Sequence, residues 1–222
     1  MPLNNLLEII ITTLQLAAVS TLILMLVAAP LAWWLARRHS TAQAILETLI
    51  TLPLVLPPTV IGFYLLIAFA PQQPLAKTWF AISGQSLAFS FSGLVIGSVI
   101  YSLPFVVQPM KAAFEKITQD TLDAAAVLGA KPIDQFLHVV LPSSKNALLA
   151  AAIIGFAHTL GEFGIVLMIG GNIAGETQVL SIALFEAVES SDYQTAHQIA
   201  AGLVLFSLLL LAGLFKTNRR PA

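Results

Sequence analysis

Long stretches without a charged side chain or a histidine are the feature of this sequence that most restricts its fold. Residues 9–36, 48–76 and 78–110 are such stretches, and residues 198–215 form a shorter one. A helix of about 20 apolar residues is long enough to cross the ~30 Å hydrocarbon core of a bilayer. The sequence therefore predicts membrane-spanning helices.

The composition excludes the other broad classes. Hydrophobic residues make up 58% of the 222 residues and charged residues only 9%, against about 25% in an average soluble domain. A soluble fold would lack charges for its surface, and a disordered chain would be far less apolar. The absence of cysteine excludes disulfides, thiolate metal sites and iron–sulfur ligation.

The pattern predicts an all-α, polytopic membrane helical bundle that forms one domain over residues 1–222. The segment between the second and third spans, residues 70–89, is expected to be a loop. Residues 178–188 are expected to form a short amphipathic helix before the last span. The chain has room for about five spans, which we place at residues 9–36, 46–69, 90–110, 146–170 and 195–215.

The basic residues predict the orientation of the bundle. With five spans, only Lys77 falls on one side of the membrane. By the positive-inside rule the N-terminus is outside and the C-terminus is cytoplasmic. Arg37 and Arg38 follow the first span and no basic residue precedes it, so we expect a retained anchor and not a cleaved signal. The nine on the cytoplasmic side are Arg37, Arg38, Lys111, Lys116, Lys131, Lys145, Lys216, Arg219 and Arg220.

The cytoplasmic loop at residues 111–144 is expected to contain two short helices. Thr118 or Asp120 can cap the first, Gly129 can end it in the left-handed conformation, and Pro132 can open the second, which we expect to end before Pro142. Helices this short need a neighbour for their apolar side chains. The sequence leaves open whether that neighbour is the protein's own spans or the groove of a partner. The side chains concerned are Ala124, Ala125, Val127, Leu128 and Phe136.

This loop resembles the "EAA" loop of ABC-importer permeases. The family pattern is E-A-A-x3-G-x9-I-x-L-P, and here it reads Asp123-Ala124-Ala125, Gly129, and Val139-x-Leu141-Pro142 with the same spacing. Asp replaces Glu at 123 and Val replaces Ile at 139. The resemblance implies short cytoplasmic coupling helices between spans 3 and 4. The residues that it implies for coupling to an ATPase are Asp123, Ala124, Ala125, Gly129, Leu141 and Pro142.

Three other segments are similar to the molybdate-type permeases, a group that also serves tungstate and sulfate or thiosulfate. They are residues 52–58, residues 160–164, and residues 172–177, where Ala174 replaces an expected proline. The resemblance implies a multi-pass permease of the bacterial inner membrane that works as a homodimer. It also implies two ATP-binding subunits on the cytoplasmic side and a periplasmic oxyanion-binding protein, with molybdate as the first candidate and tungstate, sulfate or thiosulfate as alternatives.

The chain carries no G-x-x-x-x-G-K-[ST] pattern. ATP and Mg are therefore expected on the partner ATPase, and we expect no cofactor, metal or catalytic residue in this chain and no nucleic-acid partner. The spans contain no Lys or Arg at mid-depth, so a translocated oxyanion would meet only dipoles. Candidate residues for the translocation pathway or gate are Pro57, Pro58, Gly62, Gly161, Glu162 and Gly164.

Glu162 is the acid placed well inside a span, and His158 precedes it by four residues, on the same face of a continuous helix. Three roles are open: a proton relay, half of a metal site, or a hydrogen-bonded structural pair. Two alternative functions would use His158 and Glu162. One is a proton-coupled secondary transporter, and the other is an intramembrane enzyme.

Overall fold

The computed structural model describes residues 3–37 and 40–218, and the side chains of residues 5–37 and 40–213. These residues form helices and no strand. Arg38, Arg219 and Arg220, three of the nine basic residues expected on the cytoplasmic side, lie outside the described residues. The elements are α1 (Leu3–Arg37), α2 (Thr41–Thr51), a 3-10 turn (Leu52–Leu54), α3 (Pro58–Ala68), α4 (Pro74–Ser83), α5 (Phe91–Phe114), α6 (Gln119–Val127), α7 (Pro132–Gln135), a π turn (Phe136–Val140), α8 (Leu141–Ser143), α9 (Lys145–Leu160), α10 (Gly164–Gly170), α11 (Leu180–Glu189) and α12 (Tyr193–Asn218).

Three helices in the described residues are long and apolar enough to cross a bilayer on their own: Asn5–Arg37, Phe91–Phe114 and Tyr193–Gly213. Two pairs of helices joined at a sharp bend bring the number to five if each pair counts as one span. The structure is therefore a helical membrane bundle. The second bent pair joins Pro132–Ser143 to Lys145–Leu160 and so includes residues of the loop expected at 111–144, and the five spans at the predicted residues stay a prediction.

The second predicted span, residues 46–69, is broken. The segment Thr41–Leu54 meets α3 at 112°. Pro57 precedes α3 and Pro58 occupies its first turn, where a missing N–H costs no hydrogen bond. The prolines thus break this span, as their positions indicated.

The fourth predicted span, residues 146–170, is also discontinuous, which the sequence analysis did not anticipate. Helix α9 ends at Leu160, residues 161–163 are not helical, and α10 begins at Gly164. The break coincides with Gly161 and Gly164, which flank Glu162, and glycine is a common residue at helix boundaries. The segment still resembles one span because the residues on both sides of it are mostly apolar. The consequence of the break is that Glu162 lies in a short connection and not on a helix face.

Helices α1, α5 and α12 run in the same direction. Arg37 at the end of α1 donates to the Ile117 carbonyl just after α5. Near the start of α1, the Thr13 hydroxyl accepts from the Leu180 N–H of α11, which directly precedes α12. We call the end with residues 115–144 the stub end, those residues the coupling stub, and the other end the opposite end. The two termini of the described chain therefore point to opposite ends, as an odd number of crossings requires.

The segment between the second and third spans is not the loop that the sequence suggested. It contains α4, which begins at Pro74 and ends at Gly84, a residue with φ +71°. Proline in the first turn and glycine in the left-handed position are ordinary helix boundaries, so the signal was present. The short helix expected at residues 178–188 is confirmed as α11, Leu180–Glu189.

The core consists mainly of α1, α5, α9 and α10. Close approach depends on glycine at several places. An added Cβ at Gly155 would lie 2.8 Å from Val106 Cγ2, and one at Gly97 would lie 2.4 Å from Ile169 Cδ1. Small residues allow helices to pack closely where the surrounding lipid gives no hydrophobic driving force. The core holds the coupling stub at one end and the break of the fourth span at mid-depth.

Candidate functional site

The coupling stub begins and turns as its sequence predicts. Thr118 caps α6 and its hydroxyl accepts from the Thr121 N–H at 3.4 Å. Gly129 has φ +91°, and the Ala130 N–H donates to the Ala125 carbonyl at 3.0 Å, which closes the helix end. Pro132 opens α7. The stub is thus a compact helix–turn–helix unit with defined caps.

The second half of the stub differs from the prediction. Instead of one helix that ends before Pro142, α7 passes through a π turn into α8, which contains Pro142 and ends at Ser143. The Leu141 N–H donates to the Phe136 carbonyl, five residues earlier. A π turn adds one residue to a helical turn and rotates the side chains that follow it. It places Val140 in the core and leaves Pro142 exposed.

One face of the stub packs on the protein's own spans. Leu122 and Val140 are buried there, in a cluster with Leu35, Met110 and Phe114. The side-chain amide of Gln135 donates to the Leu122 carbonyl at 3.2 Å and so joins the two short helices. For this face of the stub, the neighbour is therefore the protein's own spans, one of the two alternatives that the sequence left open.

The other face carries apolar side chains that no described residue covers. Val127 and Leu128 are each 88% exposed, and Ile133 is 72% exposed. We call these three residues the apolar tip. Exposed apolar side chains clustered on a small, otherwise polar unit mark an interaction surface. The apolar residues of the stub are therefore divided between two neighbours, one inside the chain and one outside.

The residues of the EAA-like pattern lie beside the apolar tip. Ala124 and Gly129 are exposed, and Asp123 is exposed but held, because its carboxylate accepts from the Gln119 side-chain amide at 2.8 Å. Ala125 is half-buried. Leu141 and Pro142 lie farther along, in α8. The stub thus brings the first four motif residues together and leaves the last two near its junction with α9.

The second group of predicted residues surrounds a cleft of about 590 Å³ where the fourth span breaks. The cleft lies beside Tyr101, near the middle of α5, and we call it the mid-depth cleft. Four predicted pathway residues line it, namely Pro58, Gly161, Glu162 and Gly164. Pro57 lies beside it, directly before α3. The remaining lining residues, which the sequence analysis did not select for the pathway, are Thr59, Tyr101, Ala157, His158 and Phe163.

Glycines in this region allow α3 to touch α10. A Cβ at Gly164 would lie 2.7 Å from the Pro58 Cβ, and one at Gly62 would lie 2.8 Å from the Met168 Cβ. Real Cβ atoms do not approach other atoms this closely. Gly62 is therefore a packing residue behind the cleft and not part of its wall.

Glu162 and His158 do not form the hydrogen-bonded pair that their spacing suggested. Glu162 is 5% exposed, and within the part of the chain that the structure describes neither of its carboxylate oxygens has a hydrogen-bond partner. His158 Nδ1 lies 2.9 Å from the Ser102 hydroxyl instead, with its ring centroid 3.9 Å from that of Phe105. The spacing rule fails because α9 ends between the two residues. The described residues contain no group of three His, Cys, Asp or Glu side chains placed to hold a metal ion.

The model of the family described as "Binding-protein-dependent transport system inner membrane component" matches residues 28–218. The molybdenum transport system permease protein ModB of Azotobacter vinelandii is 48% identical over 210 residues, which cover 95% of this chain and 93% of that protein. The sulfate transport system permease protein CysT of Escherichia coli (strain K12) is 34% identical over 181 residues, covering 82% of this chain and 65% of CysT.

Solved structures show the same fold. A chain of the MetNI methionine ABC transporter, in an inward-facing conformation, superposes with a TM-score of 0.74 at 15% sequence identity, covering 98% of this chain and 97% of that one. The relatives ModB and CysT are transport permeases, and this chain is a transport component and not an enzyme, contrary to the intramembrane-enzyme alternative. Residues 28–218 carry the family pattern on a fold shared with ABC-transporter permeases, and this chain belongs to the binding-protein-dependent transport system inner membrane component family.

Proposed function

We propose that this chain is the membrane permease subunit of an ATP-driven importer that carries molybdate across the bacterial inner membrane. Two copies form the channel, two ATP-binding subunits dock on the stub end, and a periplasmic oxyanion-binding protein docks on the opposite end. The chain contributes the path and the contact with the ATPase, while ATP and Mg are bound by the partner.

The apolar tip is the observation that carries this proposal. Val127 and Leu128 are almost fully exposed on a stub whose other face is firmly packed, and they stand within the EAA-like pattern. An amphipathic helix that presents such side chains fits a hydrophobic groove in a partner. Asp123, Ala124, Ala125 and Gly129 are the residues that we assign to the rim of that contact.

Leu141 and Pro142 are assigned a different part in coupling. They lie at the junction of the stub with α9, where the chain bends by 77°. A movement of the stub is passed to the fourth span through this junction. The pattern residues thus divide into a contact group at the tip and a junction group at the base.

Molybdate is the preferred substrate because the 48% identical relative is a molybdenum permease over nearly the whole chain. Sulfate is the second candidate, since a sulfate permease is 34% identical. Both are tetrahedral dianions, so the same cleft chemistry serves either. Selection between them is assigned to the binding protein.

The mid-depth cleft is assigned to the passage. No Lys or Arg of the described residues lines it. The hydroxyls of Thr59 and Tyr101 and the backbone at residues 161–164 supply the dipoles. A site without a fixed cation binds an oxyanion weakly, which suits passage and release. Glu162, with both carboxylate oxygens buried, is assigned to the gate and not to anion binding, because like charges repel.

The experiment is substrate uptake by proteoliposomes that contain the permease, an ATP-binding subunit from the same organism and its oxyanion-binding protein. We expect molybdate uptake that requires ATP and persists when a proton ionophore is added. Sulfate and tungstate are tested in parallel. Uptake that needs a proton gradient at constant ATP would contradict the proposal and favour the secondary-transporter alternative.

A further inference from the structure

Three aromatic rings from three different elements meet where the stub joins the bundle. Trp33 is near the end of α1, Phe114 ends α5, and Phe136 begins the π turn of the stub. The ring centroids are 6.1 Å apart for Trp33 and Phe114, 6.2 Å for Trp33 and Phe136, and 6.4 Å for Phe114 and Phe136. Each ring therefore touches both of the others, in the range of distances at which aromatic rings attract.

Arg37 closes the same junction from the side of α1. Its guanidinium lies 4.3 Å from the centroid of the Trp33 ring, and Nη2 donates to the Ile117 carbonyl at 2.8 Å. Nη1 lies 3.5 Å from the Gln119 side-chain oxygen. A planar guanidinium can stack on a ring and donate to two acceptors at once, which a lysine cannot do.

The contacts of Arg37 reach the coupling motif. The side-chain amide of Gln119 donates to the Asp123 carboxylate at 2.8 Å, and Asp123 holds the first position of the EAA-like pattern. The end of α1 is thus linked through Gln119 to the residue beside the apolar tip. Phe136 supplies the second link, from the other half of the stub.

We propose that Trp33, Phe114, Phe136 and Arg37 form a stub clamp that makes the coupling stub move as one body with the ends of α1 and α5. The four are positioning residues: they touch neither the ATPase groove nor the transported anion. The apolar tip binds the partner, and the stub clamp converts a displacement of that partner into a displacement of two spans. This inference rests on the proposed function.

The π turn supports the assignment. It begins at Phe136, the ring that the stub contributes, and it lies between the apolar tip and the 77° bend before α9. Without the clamp, a displaced stub can pivot at this irregular turn and leave the spans behind. With the clamp, the same displacement must carry α1 and α5. π turns are found preferentially at functional positions.

The first test is Phe136→Ala in the reconstituted complex, with two readouts: capture of the ATP-binding subunit and molybdate taken up per ATP hydrolysed. We expect unchanged capture, because the apolar tip is intact. Uptake per ATP should fall by about twofold to thirtyfold, the range for mutations that lie between two coupled sites. Phe136→Leu, which keeps most of the apolar volume without the ring, should give a smaller fall. Phe156→Ala is the matched control, because its ring meets Phe206 at 6.2 Å between α9 and α12, away from the stub.

The second test is Arg37→Lys, which keeps the positive charge that orients the chain and loses the fork. We expect the same loss of uptake per ATP, and the double variant with Phe136→Ala should lose less than the product of the two single effects. Unchanged uptake per ATP in both single variants would overturn the clamp. Loss of capture and uptake together would also overturn it, because it would mean that the residues only maintain the fold. If the wild type shows no ATP-driven uptake, it is the proposed function that fails.

Discussion

The coupling stub exposes apolar side chains, whereas the mid-depth cleft buries a carboxylic acid. The stub buries Leu122 and Val140 on its inner face and leaves other apolar side chains bare, with Val127 and Leu128 each 88% exposed. The cleft region buries a carboxylic acid, Glu162, and leaves both of its oxygens without a hydrogen-bond partner. Both arrangements cost free energy in the isolated chain. The stub exposes apolar side chains to water, and the cleft region removes a carboxylic acid from water without giving it a hydrogen bond.

The difference separates two kinds of functional residue. The exposed residues of the stub contribute little to folding, so changes there should affect a partner and spare the protein. The residues around the cleft sit in glycine-dependent contacts between α3 and α10, so changes there should affect the helices themselves. Variants of the stub should therefore change partner binding, and variants around the cleft should change thermal stability.

The largest effect is expected for Leu128→Asp. A charge placed at the centre of an apolar contact removes a hot spot, which costs about 2–4 kcal/mol of binding free energy or roughly 30-fold or more in affinity. We expect loss of the ATP-binding subunit on purification, with the permease still present in the membrane. Val188→Asp at the opposite end, 47% exposed, makes the same kind of change and should leave capture intact. Equal capture by both variants would contradict the role of the tip.

Gly164→Val should have the next largest effect, and on the other region. The added side chain overlaps Pro58, whose Cβ would lie 2.7 Å from the new Cβ. Overpacking of this kind costs about 1–3 kcal/mol. We expect a lower thermal unfolding midpoint and weak uptake with normal capture of the ATPase. Gly202→Val is the control, because nothing lies within 4 Å of a Cβ there. A normal midpoint for Gly164→Val would show that α3 and α10 are not closely packed.

A smaller effect is expected for Thr177→Val, in the turn that follows α10. The buried Thr177 hydroxyl donates to the Gly170 carbonyl at 2.6 Å and accepts from the Ile173 N–H at 2.9 Å. Valine has the same shape and leaves both backbone groups unpaired, which costs about 1–3 kcal/mol. The measurement is the thermal midpoint of the purified protein. Thr195→Val, at a half-buried position near the start of α12, removes a hydroxyl that donates to the Asp192 carboxylate and to no backbone group of the described residues, and it should change the midpoint less.

The smallest effect is expected for Glu162→Gln. The carboxyl oxygens make no hydrogen bond that the amide would lose, and the amide carries no charge to bury. We expect a thermal midpoint no lower than that of the wild type, and uptake that still ignores a proton ionophore. A clear drop in the midpoint would show that the carboxylate has a partner. Sensitivity of wild-type uptake to the ionophore, absent in the variant, would restore the proton-relay alternative.

The sequence predicted the elements whose signals are local. Charge-free runs located α1, α5 and α12, and the residues at the helix ends located the stub and its turn at Gly129. The left-handed φ of Gly129 follows from a rule about helix ends that needs no tertiary contact. The EAA-like spacing pointed to the stub as the site of contact with a partner, which remains a prediction.

Features that depend on distant contacts were not predictable. Gly161 and Gly164 flank the break at residues 161–163, but glycine inside an apolar span also fits close helix packing, so the two glycines do not by themselves predict a break. The contact of His158 with Ser102, in place of Glu162, follows from this break. The stub clamp joins residues from α1, α5 and the π turn, which only the folded chain brings together. Hydrophobic periodicity and composition also do not determine which side chains of the stub pack against the spans. The helix α4 is a different case, since Pro74 and Gly84 marked its ends.

The contact between the coupling stub and an ATPase is tested by co-purification and by uptake. The measurement is whether an ATP-binding subunit co-purifies with this permease and drives molybdate uptake in proteoliposomes, with and without Leu128→Asp. We expect a complex of two permease and two ATP-binding chains that takes up molybdate when supplied with ATP and the binding protein. The Leu128→Asp variant should neither capture the subunit nor take up molybdate. Uptake by the permease alone, or a complex that still forms with a charge at position 128, would show that the stub does not connect this chain to an ATPase.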